Sequence, residues 1–482
     1  MLDVDDLPVI DFIKKRSGFK ILPRLTDGNS IKAVLIQYRQ SLKTEFQDII
    51  QKEANTLKAE GKENDKAEEK SAEELKQMAE DLPVVKIVDS LIFHAILQNA
   101  SDIHIEPGEH ELTVRYRIDG LLHDAMVLEK NAASGITARI KVLANLKLDE
   151  KRLPQDGRFK IEQDGDKTSF RVSTLPTFFG EKTVMRILKE NAKGFSLETL
   201  GFHGEGLERI YGSLKQKTGM VLATGPTGSG KTTTLYTMLE ILNKPEVNIS
   251  TVEDPIEYQM PRVNQTQVKP EIGLTFANGL RSLLRQDPDI VMVGEIRDKE
   301  TAGLAINASL TGHLVLSTIH TNSAAGAIPR MIDMGVEPFL ITATVKTIIA
   351  QRLVRQLTPS KEKYFLSPAE LKNLGKMINL ERVLGFLKEE KVLGPNEDWD
   401  KVPFYKPVPT SAFEDGYQSR SGVHEVLKVS SAIREMIVKG ASQDQLEEQA
   451  KAEGMMTMIE DGVFQAVLGT TTLEEVLRVV SE

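Results

Sequence analysis

One stretch limits what this chain can fold into more than any other: Gly225-Pro226-Thr227-Gly228-Ser229-Gly230-Lys231-Thr232, followed by Thr233. It fits the pattern of a glycine, four residues of any kind, then Gly-Lys-Ser/Thr. The flanks fit as well. Met220-Val221-Leu222-Ala223 is a short apolar run suited to a buried strand, and Leu235, Met238, Leu239 and Leu242 recur at helical spacing. A strand therefore hands a glycine-rich turn to the N-terminus of a helix. Backbone N–H groups of such a turn can surround phosphate oxygens, and the helix end favours negative charge. In that arrangement Lys231 reaches the β- and γ-phosphates and the Thr232 hydroxyl holds Mg²⁺. A glycine-rich turn without a ligand is the bland alternative, and the full motif with both flanks argues against it.

A chain of 482 residues should hold more than one domain. At 40% hydrophobic and 27% charged residues it can bury a core, and global disorder is not indicated. No apolar run approaches the length of a membrane span, and the first residues lack a signal-peptide pattern. Cysteine is absent, which excludes disulfides and thiolate metal sites and fits a cytoplasmic protein. A net charge of −9 weighs against a surface built to wrap nucleic acid, although a local basic channel is compatible with it.

Along the chain, residues 1–50 read as a small α/β piece and residues 51–81 as a charged linker, partly helical, rich in Lys, Glu and Ala. Residues 82–190 read as a mixed α+β domain. Its helix face is Val84, Ile87, Val88, Leu91 and Ala95, and its strands include Asp102–Glu106 and the alternating Leu112, Val114, Tyr116 and Ile118. Residues 191–201, with glycines near both ends, read as a hinge. Over 202–355 strands alternate with helices, the pattern of a parallel sheet covered on both faces. Ile249–Val252, Ile290–Val293 and Leu314–Ile319 are its further short apolar strands. Residues 356–482 read as helical and charged, with a long irregular section at 394–421 and a capping box, Thr472-Leu473-Glu474-Glu475, opening a last helix.

Each of those strands ends in polar residues, where an open α/β sheet places its ligands. Glu253-Asp254-Pro255-Ile256-Glu257 comes after the first, and a carboxylate there can orient or deprotonate an attacking water or hold Mg²⁺ through water. Gly294-Glu295 comes after the second. Gly294 stands where many phosphate-loop ATPases place an aspartate, so Glu295 takes over the metal or water-positioning work. His313 and His320 bracket the third strand. His320 is at the ligand-binding end and suits a γ-phosphate sensor, while His313, at the other end, reads equally well as structural. Arg281 and Arg285, four apart on one helix face, are candidates for charge on the γ-phosphate or for a solvated basic face.

Together these residues resemble the secretion ATPases of type II secretion and type IV pilus assembly, GspE and PilB, from about residue 82 onward. Further marks are Ser101-Asp102-Ile103-His104-Ile105-Glu106-Pro107, Arg152-Leu153-Pro154-Gln155-Asp156-Gly157-Arg158 and Gln351-Arg352-Leu353, and Gly294 is usual in that family. The resemblance implies a PAS-like α+β domain followed by a RecA-like motor domain. It implies a homo-hexameric ring on the cytoplasmic face of the inner membrane, working through an inner-membrane platform protein, with ATP and Mg²⁺ as cofactors. It implies Glu295 and Glu257 as catalytic carboxylates, Glu253 near the metal, and Arg171, Arg186, Arg281 and Arg285 as phosphate contacts within or across subunits. The chain departs from the family in lacking the four cysteines of its zinc module, so no zinc is expected, and residues 358–415 should be looser or held by other packing. Residues 1–50 resemble only the later part of the family's N-terminal region. A ring-shaped nucleic-acid translocase is the competing reading, opposed by the acidic balance and by the lack of an aromatic-basic strand-binding stretch.

Overall fold

The computed structural model describes residues 72–480, apart from 164–165, 190–194, 411–412 and 414, and three isolated positions nearer the start. The adaptor piece expected over 1–50 and the start of the hinge at 191–194 lie outside the described residues. The chain divides into two compact units, one reaching to Glu190 and including Thr410–Glu414, the other formed by the remainder.

The first unit opens with α1 (Ala72–Glu80) and α2 (Leu82–Leu97). The former falls in the charged stretch read as a linker. It folds because Leu75 and Ala79, one helical turn apart, are buried against Ala138 despite the charges around them. Next come β1 (Asp102–Pro107), β2 (Glu111–Ile118), β3 (Leu121–Glu129), α3 (Ala132–Leu143), β4 (Gln155–Gln163), β5 (Asp166–Thr177) and β6 (Gly180–Lys189). They form an antiparallel sheet in the order β3-β2-β1-β6-β5-β4. Alternation decides its two faces. Ile103, Ile105, Val114, Phe170, Val172 and Met185 are buried with Ile87 and Leu91 of α2 and Ile136 and Ile140 of α3. On the other face a charged row crosses five strands in register: Arg158, Arg171, Arg186, Asp102 and Arg117. Asp102 accepts from Arg186 Nε at 3.0 Å and from the Ser101 hydroxyl at 2.8 Å, so the Ser-Asp pair of the first strand motif anchors that row.

The second unit contains α4 (Gly204–Leu214), β7 (Gly219–Thr224), α5 (Lys231–Leu242), β8 (Ile249–Glu253), β9 (Val263–Gln267), α6 (Phe276–Leu283), β10 (Ile290–Val293), α7 (Lys299–Leu310) and β11 (Leu314–Ile319). It continues with α8 (Ala327–Asp333), α9 (Pro338–Thr344), β12 (Val345–Leu357), β13 (Lys361–Tyr364), α10 (Pro368–Leu374), α11 (Leu380–Glu389), β14 (Phe404–Pro407) and β15 (Tyr417–Lys428). Four helices end it: α12 (Ser431–Val438), α13 (Gln443–Ala452), α14 (Met458–Val467) and α15 (Leu473–Val480). Its main sheet runs β15-β12-β7-β11-β10-β8-β9, parallel except for β15. In β7, Met220 and Leu222 enter one core and Val221 and Ala223 the other. That two-sided burial is why the strand reads as a continuous apolar run.

The region past 355 is less helical than its sequence suggests. β12 extends to Leu357, and β15 pairs along it from Tyr417, inside the stretch read as irregular. The first half of β15, Tyr417-Gln418-Ser419-Arg420-Ser421, has no apolar pattern; its pairing partner dictates its conformation. Without cysteines, the segment between these strands is held by packing. Leu374, Ile378, Val383, Leu387, Trp399, Val402 and Phe404 are buried with Val463, Phe464 and Val467 of α14, and the Trp399 indole N–H donates to the Leu380 carbonyl at 3.3 Å. The capping box at Thr472 is only half made. The Thr472 hydroxyl accepts from the Glu475 N–H at 3.1 Å, but the Glu475 carboxylate turns instead to Arg355 and Arg478. Among the described residues no helix is long and apolar enough to cross a membrane.

Candidate active site

β7 ends at Thr224 and α5 begins at Lys231, so the glycine-rich segment is the turn between them. Gly225 has φ 141° and Gly230 has φ 89°, conformations in which a side chain is strained. Space forbids one at Gly225 as well, since a Cβ there would lie 2.4 Å from the Gln351 carbonyl oxygen. The Lys231 amine donates to the carbonyls of Gly225 and Pro226, each at 2.9 Å. Burial lowers its pKa, while the charge of Glu295 pulls the other way. Pro226, Thr227, Gly228 and Ser229 form the body of the turn, and Thr232 and Thr233 lie in the first turn of α5. The start of the turn is pinned to the end of β11: the Thr321 N–H donates to the Thr224 hydroxyl at 2.8 Å, and that hydroxyl donates to the Thr321 carbonyl at 3.0 Å.

The strand-end carboxylates differ sharply in environment. Glu253, the last residue of β8, is 2% exposed. One of its oxygens accepts from the Thr251 hydroxyl and the Gln265 amide, the other from the Tyr236 hydroxyl. Burial raises its pKa, against the pull of those three bonds. Both of its oxygens thus accept from protein donors. Glu257, beyond the Asp254-Pro255 cis peptide, is half-buried, and its N–H donates to the Tyr236 hydroxyl at 3.4 Å.

Glu295 stands just past β10. Its carboxylate meets Arg297 Nε at 2.7 Å and His320 Nε2 at 3.1 Å. Gly294 before it is wedged between strands: its N–H donates to the Val252 carbonyl at 2.8 Å, and a Cβ would lie 3.3 Å from that oxygen and 3.4 Å from the Glu253 Cα. The neighbouring strand therefore supplies a physical reason for glycine where an aspartate is common. Lys231, Glu295 and His320 thus gather at the C-terminal ends of parallel strands β7, β10 and β11, a position where open α/β sheets bind ligands. The Thr232 hydroxyl and the Glu295 carboxylate are oxygen donors of the type Mg²⁺ takes when phosphates and water complete its shell. Among the described residues no cluster of His, Asp or Glu could hold a metal unaided.

The other candidates belong to other elements. The His313 Nδ1 sits 2.9 Å from the Ala308 carbonyl, which only accepts, so that nitrogen carries the proton and the ring closes the end of α7. Arg281 bonds Asn278 at 2.8 Å and Glu300 at 2.5 Å, and Arg285 donates to the Arg281 carbonyl at 3.1 Å; both are exposed. Arg171 and Arg186 belong to the charged row of the first unit, directly opposite each other on β5 and β6. Sequence reasoning missed Tyr236, Gln265, Thr224 and Thr321. Tyr236, Gln265 and Thr224 are single polar residues within α5, β9 and β7, and Thr321 lies in the loop just past β11; spacing flags none of them.

Residues 77–478 match the family described as Type II/IV secretion system protein. The type II secretion system protein E of Xanthomonas campestris is 46% identical over 411 residues, covering 85% of this chain and 70% of the relative. The type IV pilus assembly ATPase PilB of Myxococcus xanthus is 40% identical over 482 residues, covering 99% of this chain and 81% of the relative. Among solved structures, the Legionella pneumophila ATPase DotB superposes with a TM-score of 0.57 at 21% identity, over 81% of this chain and 94% of its own. The pilus retraction motor PilT with bound ADP superposes with a TM-score of 0.56 at 26% identity, over 81% of this chain and 96% of its own. With the family match spanning nearly all of the described residues, and with relatives of this identity and coverage, the chain belongs to the type II/IV secretion system protein family.

Proposed function

We propose that this P-loop ATPase is a homo-hexameric, Mg²⁺-dependent motor that converts ATP hydrolysis into rotation of one unit against the other and so powers type IV pilus assembly or type II protein secretion. The observation that carries the reading is the meeting of Lys231, Glu295 and His320 at the strand ends beside the glycine-rich turn. In this reading the first unit is a PAS-like domain and the second a RecA-like core. The backbone N–H groups of 225–233 and the Lys231 amine bind the phosphates. Thr232 and Glu295 would hold Mg²⁺, partly through water, and the ion would supply positive charge against the phosphates. Glu257 and Glu295 orient the attacking water and take its proton, and His320 senses the γ-phosphate through its bond to Glu295. Arg171, Arg186, Arg281 and Arg285 supply positive charge to the phosphates within or across subunits. The motor acts at the cytoplasmic side of the inner membrane, docked on a platform protein there, and uses no nucleic acid.

The test is ATP turnover by the purified chain with mass measurement in ATP and Mg²⁺. Magnesium-dependent turnover and a six-fold mass are expected. Clear stimulation by added single-stranded DNA would overturn the reading in favour of a nucleic-acid translocase.

A further inference from the structure

A loop that cradles phosphate turns its N–H groups inward, which leaves its carbonyls facing the protein and in need of donors. Lys231 meets that need at Gly225 and Pro226, and Gln351 meets it at Ser229. Gln351 lies on β12, which runs beside β7; Ala350 is opposite Thr224, the last residue of β7, so Gln351 is level with the start of the glycine-rich turn. Its side chain is 1% exposed. The amide Nε2 donates to the Ser229 carbonyl at 2.7 Å, and the amide oxygen accepts from the Thr234 hydroxyl, in the first turn of α5, at 2.9 Å. Those partners fix which way the amide points, because a carbonyl accepts only. The same residue fills the space at both ends of the turn. Its carbonyl oxygen lies where a Cβ on Gly225 would collide, and its Nε2 lies 3.1 Å from the Cβ position of Gly230. One glutamine thus touches the first glycine, the last glycine, the Ser229 carbonyl between them and the helix beyond.

We propose that Gln351 is a positioning residue of the nucleotide site: its buried amide holds the phosphate loop in binding shape before nucleotide arrives. Binding is tighter when a loop is rigid in its bound conformation beforehand. The inference rests on reading 225–232 as an ATP site, and it gives the Gln351-Arg352-Leu353 motif a role that the strand-end chemistry leaves unassigned.

The test is titration with a fluorescent ATP analogue in the presence of Mg²⁺, alongside steady-state kcat and KM and an unfolding midpoint measured without nucleotide. Gln351→Met, close in volume, should raise Kd and KM about tenfold, with a smaller change in kcat and little change in the midpoint. Thr234→Val, which releases the other end of the amide, should weaken binding in the same direction by a smaller factor, and carries the test if the first variant does not fold. In Gln351→Glu, a neutral carboxyl can donate to the Ser229 carbonyl and a carboxylate cannot. Its affinity relative to the unsubstituted protein should therefore fall as pH rises through the titration of that carboxyl. A merely structural role would give no such profile. Unchanged Kd and KM in Gln351→Met, with ATP binding by the unsubstituted protein intact, would overturn the inference and leave the ATP reading standing. So would a lowered midpoint with unchanged Kd. Failure of the unsubstituted protein to bind ATP any better than Lys231→Ala would overturn the ATP reading itself.

Discussion

In the seven-stranded sheet, β7, β10 and β11 are buried along their whole length, and Lys231, Glu257, Glu295 and His320 all lie past the last residue of a strand. In the six-stranded sheet, Arg158, Arg171, Arg186 and Arg117 stand within the strands, on the face opposite the one packed by α2 and α3. The contrast arises from connectivity. Parallel strands with helices on both faces leave charge no place except the ends. An antiparallel sheet covered on one face can display a ladder of side chains along its strands. A strand-end site is shaped by backbone turns and tolerates little change, whereas a ladder is built from side chains whose positions adjust to one another.

The largest effects should therefore fall at the strand ends. Lys231→Ala and Glu295→Gln should each abolish steady-state phosphate release from ATP, and near-normal turnover in either would break the assignment. Next is backbone fit. Gly294→Val places methyl groups against the β8 backbone and should cost about 1–3 kcal/mol of stability in denaturant unfolding, in line with overpacking. On the ladder, Arg186→Ala should lower kcat about tenfold with an unchanged melting temperature, and Asp102→Asn should lower it less by loosening Arg186. Equal kcat in all three proteins would remove the ladder from catalysis.

A last effect, read only in acid, concerns Glu475 of α15, buried beside Arg355 of β12. Burial acts to raise the pKa of Glu475, but hydrogen bonds from Arg478 and Arg355 overcome it and hold the carboxyl at about 2. A carboxyl with a depressed folded pKa adds stability above its unfolded value, near 4.5, and loses it as pH falls through the folded one. Unfolding free energy should thus decline between about pH 4.5 and pH 2, and Glu475→Gln should flatten that slope.

Much of the strand-end site was legible because continuous apolar runs announce strands buried on both faces, and the glycine-rich motif dictates the turn and the helix start after β7. Glu295 and His320 could be placed at the ligand edge from the runs Ile290–Val293 and Leu314–Ile319 alone. The burial of Glu253 was not legible: an acid among acids reads the same whether it faces solvent or accepts from Tyr236, Thr251 and Gln265. Nor was β15, since Tyr417–Ser421 takes its conformation from β12, some sixty residues earlier. The row of arginines needed the register of five strands, which no local pattern encodes. The bounds of α1 were not legible: its stretch read as a partly helical charged linker, and two buried positions, Leu75 and Ala79, are too few to mark where the helix starts and stops.

Trp399 is the one tryptophan in the chain, and it sits in the packed segment between β12 and α14. Indole emission from this protein is therefore a local reporter. A melt followed by fluorescence watches that cysteine-free segment, while one followed by circular dichroism watches every helix and sheet together. If the two traces coincide, the segment unfolds with the motor; if fluorescence shifts first, it is a separately cooperative piece whose loosening during turnover can be timed without attaching any dye.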